Sequence, residues 1–281
     1  MARIILTIAA LTFKEVVRRR ILLVTIVLAV IFLSLYGTAV HYGYQDMTSS
    51  QSAGPMNALI APMFLSIGLY FGSFIVAFLA VMAAVGAISG EIENGIINAI
   101  VPSPVRRLDI VLGKFIGYAL MLSLFSSLFY VAVLLIVQIN TGLNAPVRAG
   151  AVVLFCLQPV ILLAVTMFGT TFLSTLANGI GSFMLYAVGV VGGMMEQIGY
   201  LAKSQTLVDI GIASSLLMPA DAVYRKIVYD LMSTPSASLS NMMLGPFGSF
   251  SEPSVWMLVY TGFYIVFFLA MASLIFSRKD I

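Results

Sequence analysis

Six apolar runs constrain this chain before anything else: residues 21–40, 62–89, 104–139, 150–175, 180–195 and 254–276. A helix rises ~1.5 Å per residue, so about 20 residues cross the ~30 Å hydrocarbon core of a bilayer. The runs are continuous rather than alternating, which argues against a β-barrel. In hydrocarbon every backbone N–H and C=O must find its partner inside the protein, so each run is expected to be a helix. The expected fold class is all-α: a polytopic membrane protein with six transmembrane helices. Composition agrees, because 61% hydrophobic and 9% charged residues leave too few charges to clothe a soluble domain.

The segments between the runs set the orientation. Residues 2–20 read as a helix lying in the interface. Arg3, Thr7, Lys14 and Arg18 share one narrow sector, while Ile4, Ile5, Ile8, Leu11 and Val16 cover the broad remainder. Arg18-Arg19-Arg20 before an apolar run resembles a signal peptide, but no small-residue cleavage site follows, so an uncleaved span is expected. With the N-terminus inside, ten of the 14 Lys and Arg fall on inner segments. The positive-inside rule then places both termini in the cytoplasm. Residues 196–253 form an extracytoplasmic segment holding five of the 11 acids and four of the ten prolines. Within it, residues 219–232 read as an amphipathic helix opened by Pro219. Val223, Ile227, Val228 and Leu231 make its apolar face; Asp221, Arg225, Lys226 and Asp230 lie largely opposite. Arg225-Lys226 is expected to face headgroups or an acidic partner.

Several chemistries are disfavoured. The first turns of the third run should project from the bilayer, with Lys114 snorkelling at the boundary. No charged residue is then expected inside a span, which argues against proton- or ion-coupled transport. No intramembrane protease motif is present, and Gly113-Lys114 is followed by Phe115, so there is no P-loop. Cys156 and His41 are the sole residues of their kinds and read as structural. Met194, Met195, Met218, Met232, Met242 and Met243 cluster toward the outer side. Thioethers suit Cu(I) but also fill irregular cores, and no metal site is expected. Ser123, Ser126, Ser127 and Tyr130 share a face of the third span; Thr166, Thr170 and Ser174 share one on the fourth. Such hydroxyls either bond between helices or line a pathway for a polar or amphipathic substrate, with Ser123, Ser127, Tyr130, Thr166 and Thr170 as its candidate wall. Ser66, Tyr70, Ser73, Ala77, Ala80 and Ala84, with Gly68-x-x-x-Gly72, read as helix packing. Gln158-Pro159 is expected to kink the fourth span, and Asn178-Gly179 to form a tight turn before the fifth.

The polar island around residues 90–118 is the most distinctive stretch. Glu91 and Glu93 would complement the positive end of a short helix over residues 91–101. Pro102 and Pro104 end it, and Ser103 can cap the next helix. That next helix is long, on the order of 50 Å, and would act as a lever. The island is either an ordinary loop or a docking helix receiving force from a soluble partner.

Gly90, Glu91, Glu93, Gly95, Pro104, Arg107, Leu112, Gly113, Lys114, Phe115 and Gly117 together form a pattern that resembles the ABC transporter permeases of the type-2 exporter family. The basic N-terminal helix and the ending Phe276-Ser277-Arg278-Lys279-Asp280 are similar too. Pro219-x-Asp221-x-x-Tyr224-Arg225 resembles the subgroup akin to the nitrous-oxide-reductase copper-maturation permease. The resemblance implies an exporter subunit of the prokaryotic cytoplasmic (inner) membrane, itself no enzyme, working as a homodimer. A separate ABC ATPase would carry ATP and Mg, leaving this chain without a cofactor. That ATPase would dock on Gly90, Glu91, Glu93, Gly95, Ile96, Ile97, Pro102, Arg106 and Arg107. Pro219, Asp221, Tyr224, Arg225 and Ile227 would form an outer element in reach of cargo or of an extracytoplasmic accessory protein. The remaining partners would be membrane lipids, with no nucleic acid. The alternative is a non-transport anchor that passes ATPase-driven movement to an extracytoplasmic protein.

Overall fold

The structure is a computed structural model and describes residues 2–49, 57–90, 106–142, 148–231, 248–249 and 253–278. Nine helices stand among the described residues. They are α1 (Ala2–Val17), α2 (Arg20–Ser49), α3 (Asn57–Ala84), α4 (Arg107–Thr141), α5 (Ala149–Gly169), α6 (Thr175–Ala202), α7 (Gln205–Leu217), α8 (Ala220–Leu231) and α9 (Val255–Arg278). Six of them, α2 to α6 and α9, are long and apolar enough to cross a membrane. The protein is an all-helical polytopic membrane protein.

The inner helices are α3 and α5, whose apolar windows are 72% and 61% buried; α2 and α9, at 17% and 22%, lie outside them. Glycine lets α3 approach its neighbours. A Cβ at Gly68 would fall 2.6 Å from the Tyr36 ring and 2.8 Å from Val133, and one at Gly72 2.2 Å from Phe129. Phe129 stacks in turn on Phe32 and Phe155, tying α2, α4 and α5 into one core. The small-residue stripe of α3 is buried throughout, from Ser66 to Ala84.

The α1 helix lies against the first half of α4. Its contact passes over Gly113 and Gly117, where a Cβ would meet Ile8 and the Ala9 carbonyl, each at 2.7 Å. Arg3, Thr7 and Lys14 point away from that contact and are exposed. The α4 helix ends at Gly142, whose left-handed φ of 68° lets its N–H bond the Gln138 carbonyl.

Four local expectations give way to packing. The fifth span is longer than residues 180–195 and takes in Glu196, so a charged residue does lie within a long apolar helix. Asn178 and Gly179 are inside α6; the turn falls instead at residues 170–174. Lys114 does not snorkel but is 7% exposed, within the bundle. Arg225 does not face outward and is 5% exposed. In each case a polar group found a specific partner, which lowers the cost of burial below that of leaving the partner unmet.

Residues 205–231 turn back into the bundle. The α7 helix runs antiparallel beside α6 and stops at Met218-Pro219, because proline has no N–H to continue it. The axis bends by 112° into α8. The pair forms a re-entrant hairpin whose corner, at Met218, packs on Gly189 midway along α6.

Candidate functional site

The end of the bundle that carries α1 also carries the exit from α3 and the entry to α4. Of the expected docking residues, Glu91, Glu93, Gly95, Ile96, Ile97 and Pro102 lie outside the described residues. Gly90, Arg106 and Arg107 frame the connection. Gly90 closes the last turn after α3 through its N–H to the Gly86 carbonyl at 3.2 Å. Arg106 is exposed, and its extended backbone starts α4.

A helix end leaves carbonyls without donors, and here other helices supply them. Lys114 Nζ of α4 donates to the Ala87 carbonyl at 2.5 Å. Asn178 Nδ2 of α6 donates to the Val85 carbonyl at 3.2 Å and to the Thr166 carbonyl of α5 at 3.0 Å. The Ser89 and Thr175 hydroxyls lie 3.0 Å apart. Gly169 makes the room: a Cβ there would sit 1.9 Å from Asn178 Oδ1. Arg107, first residue of α4, donates to the Phe276 and Ser277 carbonyls at 2.9 and 3.3 Å, with its guanidinium over the Phe276 ring. The exit of α3 is thus fastened to α4, α5 and α6, and the entry of α4 to α9.

At the opposite end the re-entrant hairpin is fastened just as closely. Pro219 is buried at the corner, and its carbonyl accepts the Val223 N–H at 3.2 Å. The last carbonyls of α7 accept hydroxyls from α9: Tyr260 at Leu216 and Tyr264 at Leu217, both 2.6 Å. Tyr224 of α8 donates to the Ser66 carbonyl of α3 at 2.9 Å. Ile227 is fully buried in the core cluster. Arg225 reaches Glu196 of α6 at 2.6 Å and Asp221 at 3.1 Å, and donates to Ser215 Oγ at 3.0 Å. Asp221 also sits in the first turn of α8, where the helix dipole favours a carboxylate. Arg148, just before α5, donates to the Asp230 carbonyl near the end of α8. The arrangement ties one hairpin to α3, α6, α9 and the entry of α5 through polar contacts, those to α3 and α6 buried.

The described helices thus form a six-span bundle with a polar stretch of sequence between its second and third spans, and its family decides its kind. The family described as "ABC-2 family transporter protein" matches residues 6–281. The chain belongs to the ABC-2 transporter family. No curated protein matches it. The match reaches the family as a whole and does not single out the copper-maturation subgroup. As an ABC-2 permease, the chain is the membrane component of an ABC transporter, whose partner is an ABC ATPase.

The hydroxyls that could wall a pathway through this permease sit at two levels. Cys156 Sγ approaches the Ser123 carbonyl at 3.4 Å, which sets the register of α4 against α5. Ser127 is half-buried and bonds the Leu124 carbonyl of its own helix. Tyr130 is buried against the Phe155 ring. Thr166 and Thr170 are fully buried nearer the α1 end and bond carbonyls one turn back, at Leu162 and Met167. The single chain does not bring the two groups together. Sequence reasoning reads Asn178 as a turn residue and passes over Glu196, Tyr260, Tyr264 and the glycines of α6 other than Gly179. A signal for the last exists: Gly189, Gly192, Gly193 and Gly199 recur on the face that the α7–α8 hairpin covers.

Proposed function

We propose that this permease is the membrane subunit of an exporter, driven by a separate ATPase that docks on residues 91–101. The observation that carries the reading is the fastening of both chain ends that flank this segment. Lys114 and Asn178 hold the α3 exit, and Arg107 holds the α4 entry. Force applied between two such ends moves helices, not a slack loop. The long α4, on the order of 50 Å, extends that movement across the bilayer. In this reading Gly90, Glu91, Glu93, Gly95, Ile96, Ile97, Pro102 and Arg106 meet the ATPase, while Arg107 also braces the bundle. ATP and Mg stay on the ATPase. The permease works as a homodimer in the cytoplasmic (inner) membrane of a prokaryote with both termini in the cytoplasm.

The hairpin favours a second use of the same movement. Its contacts with four helices would carry the stroke to an extracytoplasmic accessory protein without cargo crossing. The deciding experiment is reconstitution with the co-purified ATPase. Gly95→Trp and Glu91→Lys are expected to uncouple or release the ATPase while the permease still folds. Normal ATPase binding and activity in either variant defeats the docking assignment. ATP-dependent uptake into inverted vesicles supports export; ATPase stimulation by an outer protein alone supports force transmission.

A further inference from the structure

A cavity of about 250 Å³ opens between α6, α7, α8 and the start of α9. Leu216, Ala222 and Met257 give it apolar walls, and Glu196, Arg225 and Tyr200 give it polar ones. The ion cluster that reaches this lining through Glu196 and Arg225 includes a second carboxylate behind it, Asp221, and its charge is unbalanced. Arg225 is shared by two carboxylates, Glu196 at 2.6 Å and Asp221 at 3.1 Å, and all three side chains are at least nine-tenths buried. One guanidinium neutralises one carboxylate. The ionised cluster therefore keeps a unit of negative charge in surroundings where an uncompensated charge is costly. The fold holds both acids there deliberately. A Cβ at Gly193 would lie 1.6 Å from Asp221 Oδ2, and one at Gly211 2.4 Å from Glu196 Cβ, so only glycine at these two positions admits the carboxylates.

We propose that this cavity binds a small organic ammonium ion bearing an apolar substituent. The positive head would sit at Glu196, which Arg225 leaves half-compensated. Tyr200 lines the same cavity, and the face of an aromatic ring attracts a cation. The substituent would rest on Leu216 and Met257. An anion would meet the surplus negative charge. A neutral apolar molecule would leave that charge as it was. A hard divalent cation wants six or more oxygen ligands, which this lining does not assemble. The site belongs to the single chain and does not depend on the ATPase reading.

The test uses the full chain purified in an uncharged detergent and three probes of one shape: benzylammonium, benzyl alcohol and benzoate. Calorimetric titration is expected to show saturable binding of benzylammonium, at least about tenfold tighter than benzyl alcohol, and none of benzoate. Glu196→Gln removes the charge but keeps the shape, and is expected to weaken benzylammonium by about tenfold or more. Met257→Trp fills the cavity without touching the ion cluster, and is expected to abolish binding while the chain elutes unchanged on size exclusion. Equal binding of benzylammonium and benzyl alcohol overturns the proposal. So does undiminished binding in folded Met257→Trp, and so does the absence of saturable benzylammonium binding.

Discussion

Asn178 is the side chain whose loss tests most directly how the α3 exit is held. Asn178→Ala removes two donated bonds, to Val85 and Thr166. It also removes the acceptor that Ser182 Oγ reaches at 3.3 Å. Polar contacts between membrane helices average ~0.6 kcal/mol and reach ~1.7. Two of them give about 1–3 kcal/mol. The Thr166 carbonyl keeps the Thr170 N–H and the Val85 carbonyl keeps the Ser89 hydroxyl, so neither is orphaned and the lower half of that range applies. The void left beside Gly169, which has no side chain to lean in, adds about 1 kcal/mol. The expected loss is therefore about 2–3 kcal/mol, read as a lower thermal midpoint in detergent. Lys114→Met should cost a similar amount, because a bond from a charged donor is worth ~1.5–3 kcal/mol. Both side chains hold one helix end, so the double variant should depart from the sum of the singles, as neighbouring sites do. ATPase stimulation should fall further in the double variant than in either single one. Strict additivity, or an Asn178→Ala midpoint equal to that of exposed Gly181→Ala, would refute the clamp.

Three further outcomes are expected. Tyr264→Phe and Tyr260→Phe each uncover one α7 carbonyl at ~1 kcal/mol, and the pair should raise hydrogen exchange in α7 before it does so in α3; uniform exchange would oppose the capping role. Gly117→Val forces a side chain onto the Ala9 carbonyl, so α1 should lift from α4 and become protease-sensitive at Lys14, whereas exposed Gly150→Val should not have this effect. Single cysteines at Ser103 and Ser236, in a Cys156→Ser background, should react with an impermeant maleimide from opposite sides of the membrane; reaction of both from one side would sink the six-span topology.

The fold was legible because its cause is local. Hydrocarbon demands helices wherever about 20 apolar residues run together, and no distant contact is needed to see that. The close approach at Gly68 and Gly72 was legible for the same reason, since spacing alone puts both on one helix face. The clamp residues were hidden because their cause is not local. Asn178-Gly179 has the chemistry of a turn. What keeps it helical is the vacancy at Gly169 and two carbonyls on other helices. Lys114 has the chemistry of an interfacial anchor until the α3 exit is placed beside it. A sequence shows which groups want partners, and only the packing shows which partners are within reach.

The cluster at Glu196 extends that argument to function. Read alone, Glu196 ends an apolar run and looks like the first residue of a polar loop, and Arg225 looks like the solvent face of a surface helix. Both readings follow from the cost of burying a charge, and both fail because each charge offsets part of the other's cost. The glycines around them were the available clue. Gly192 and Gly193 of α6 and Gly211 of α7 are poor helix formers by ~1 kcal/mol each relative to alanine. Helices that tolerate such residues at one contact face keep them for closeness, and what they bring close here is Ser214, Asp221 and Glu196. Exchanging Gly211 for alanine therefore sets two terms against each other. Propensity favours the variant by ~1 kcal/mol. Against it, the new Cβ would lie 2.4 Å from Glu196 Cβ and 2.8 Å from the Gly192 carbonyl. Overpacking costs ~1–3 kcal/mol, and the upper end applies where a backbone atom must move. Packing should win, and the hairpin should loosen from α6. Glu196→Ala should not rescue it, because the Cβ and the backbone that obstruct remain. A Gly211→Ala chain more stable than the parent would mean that α7 does not lie on α6 as described.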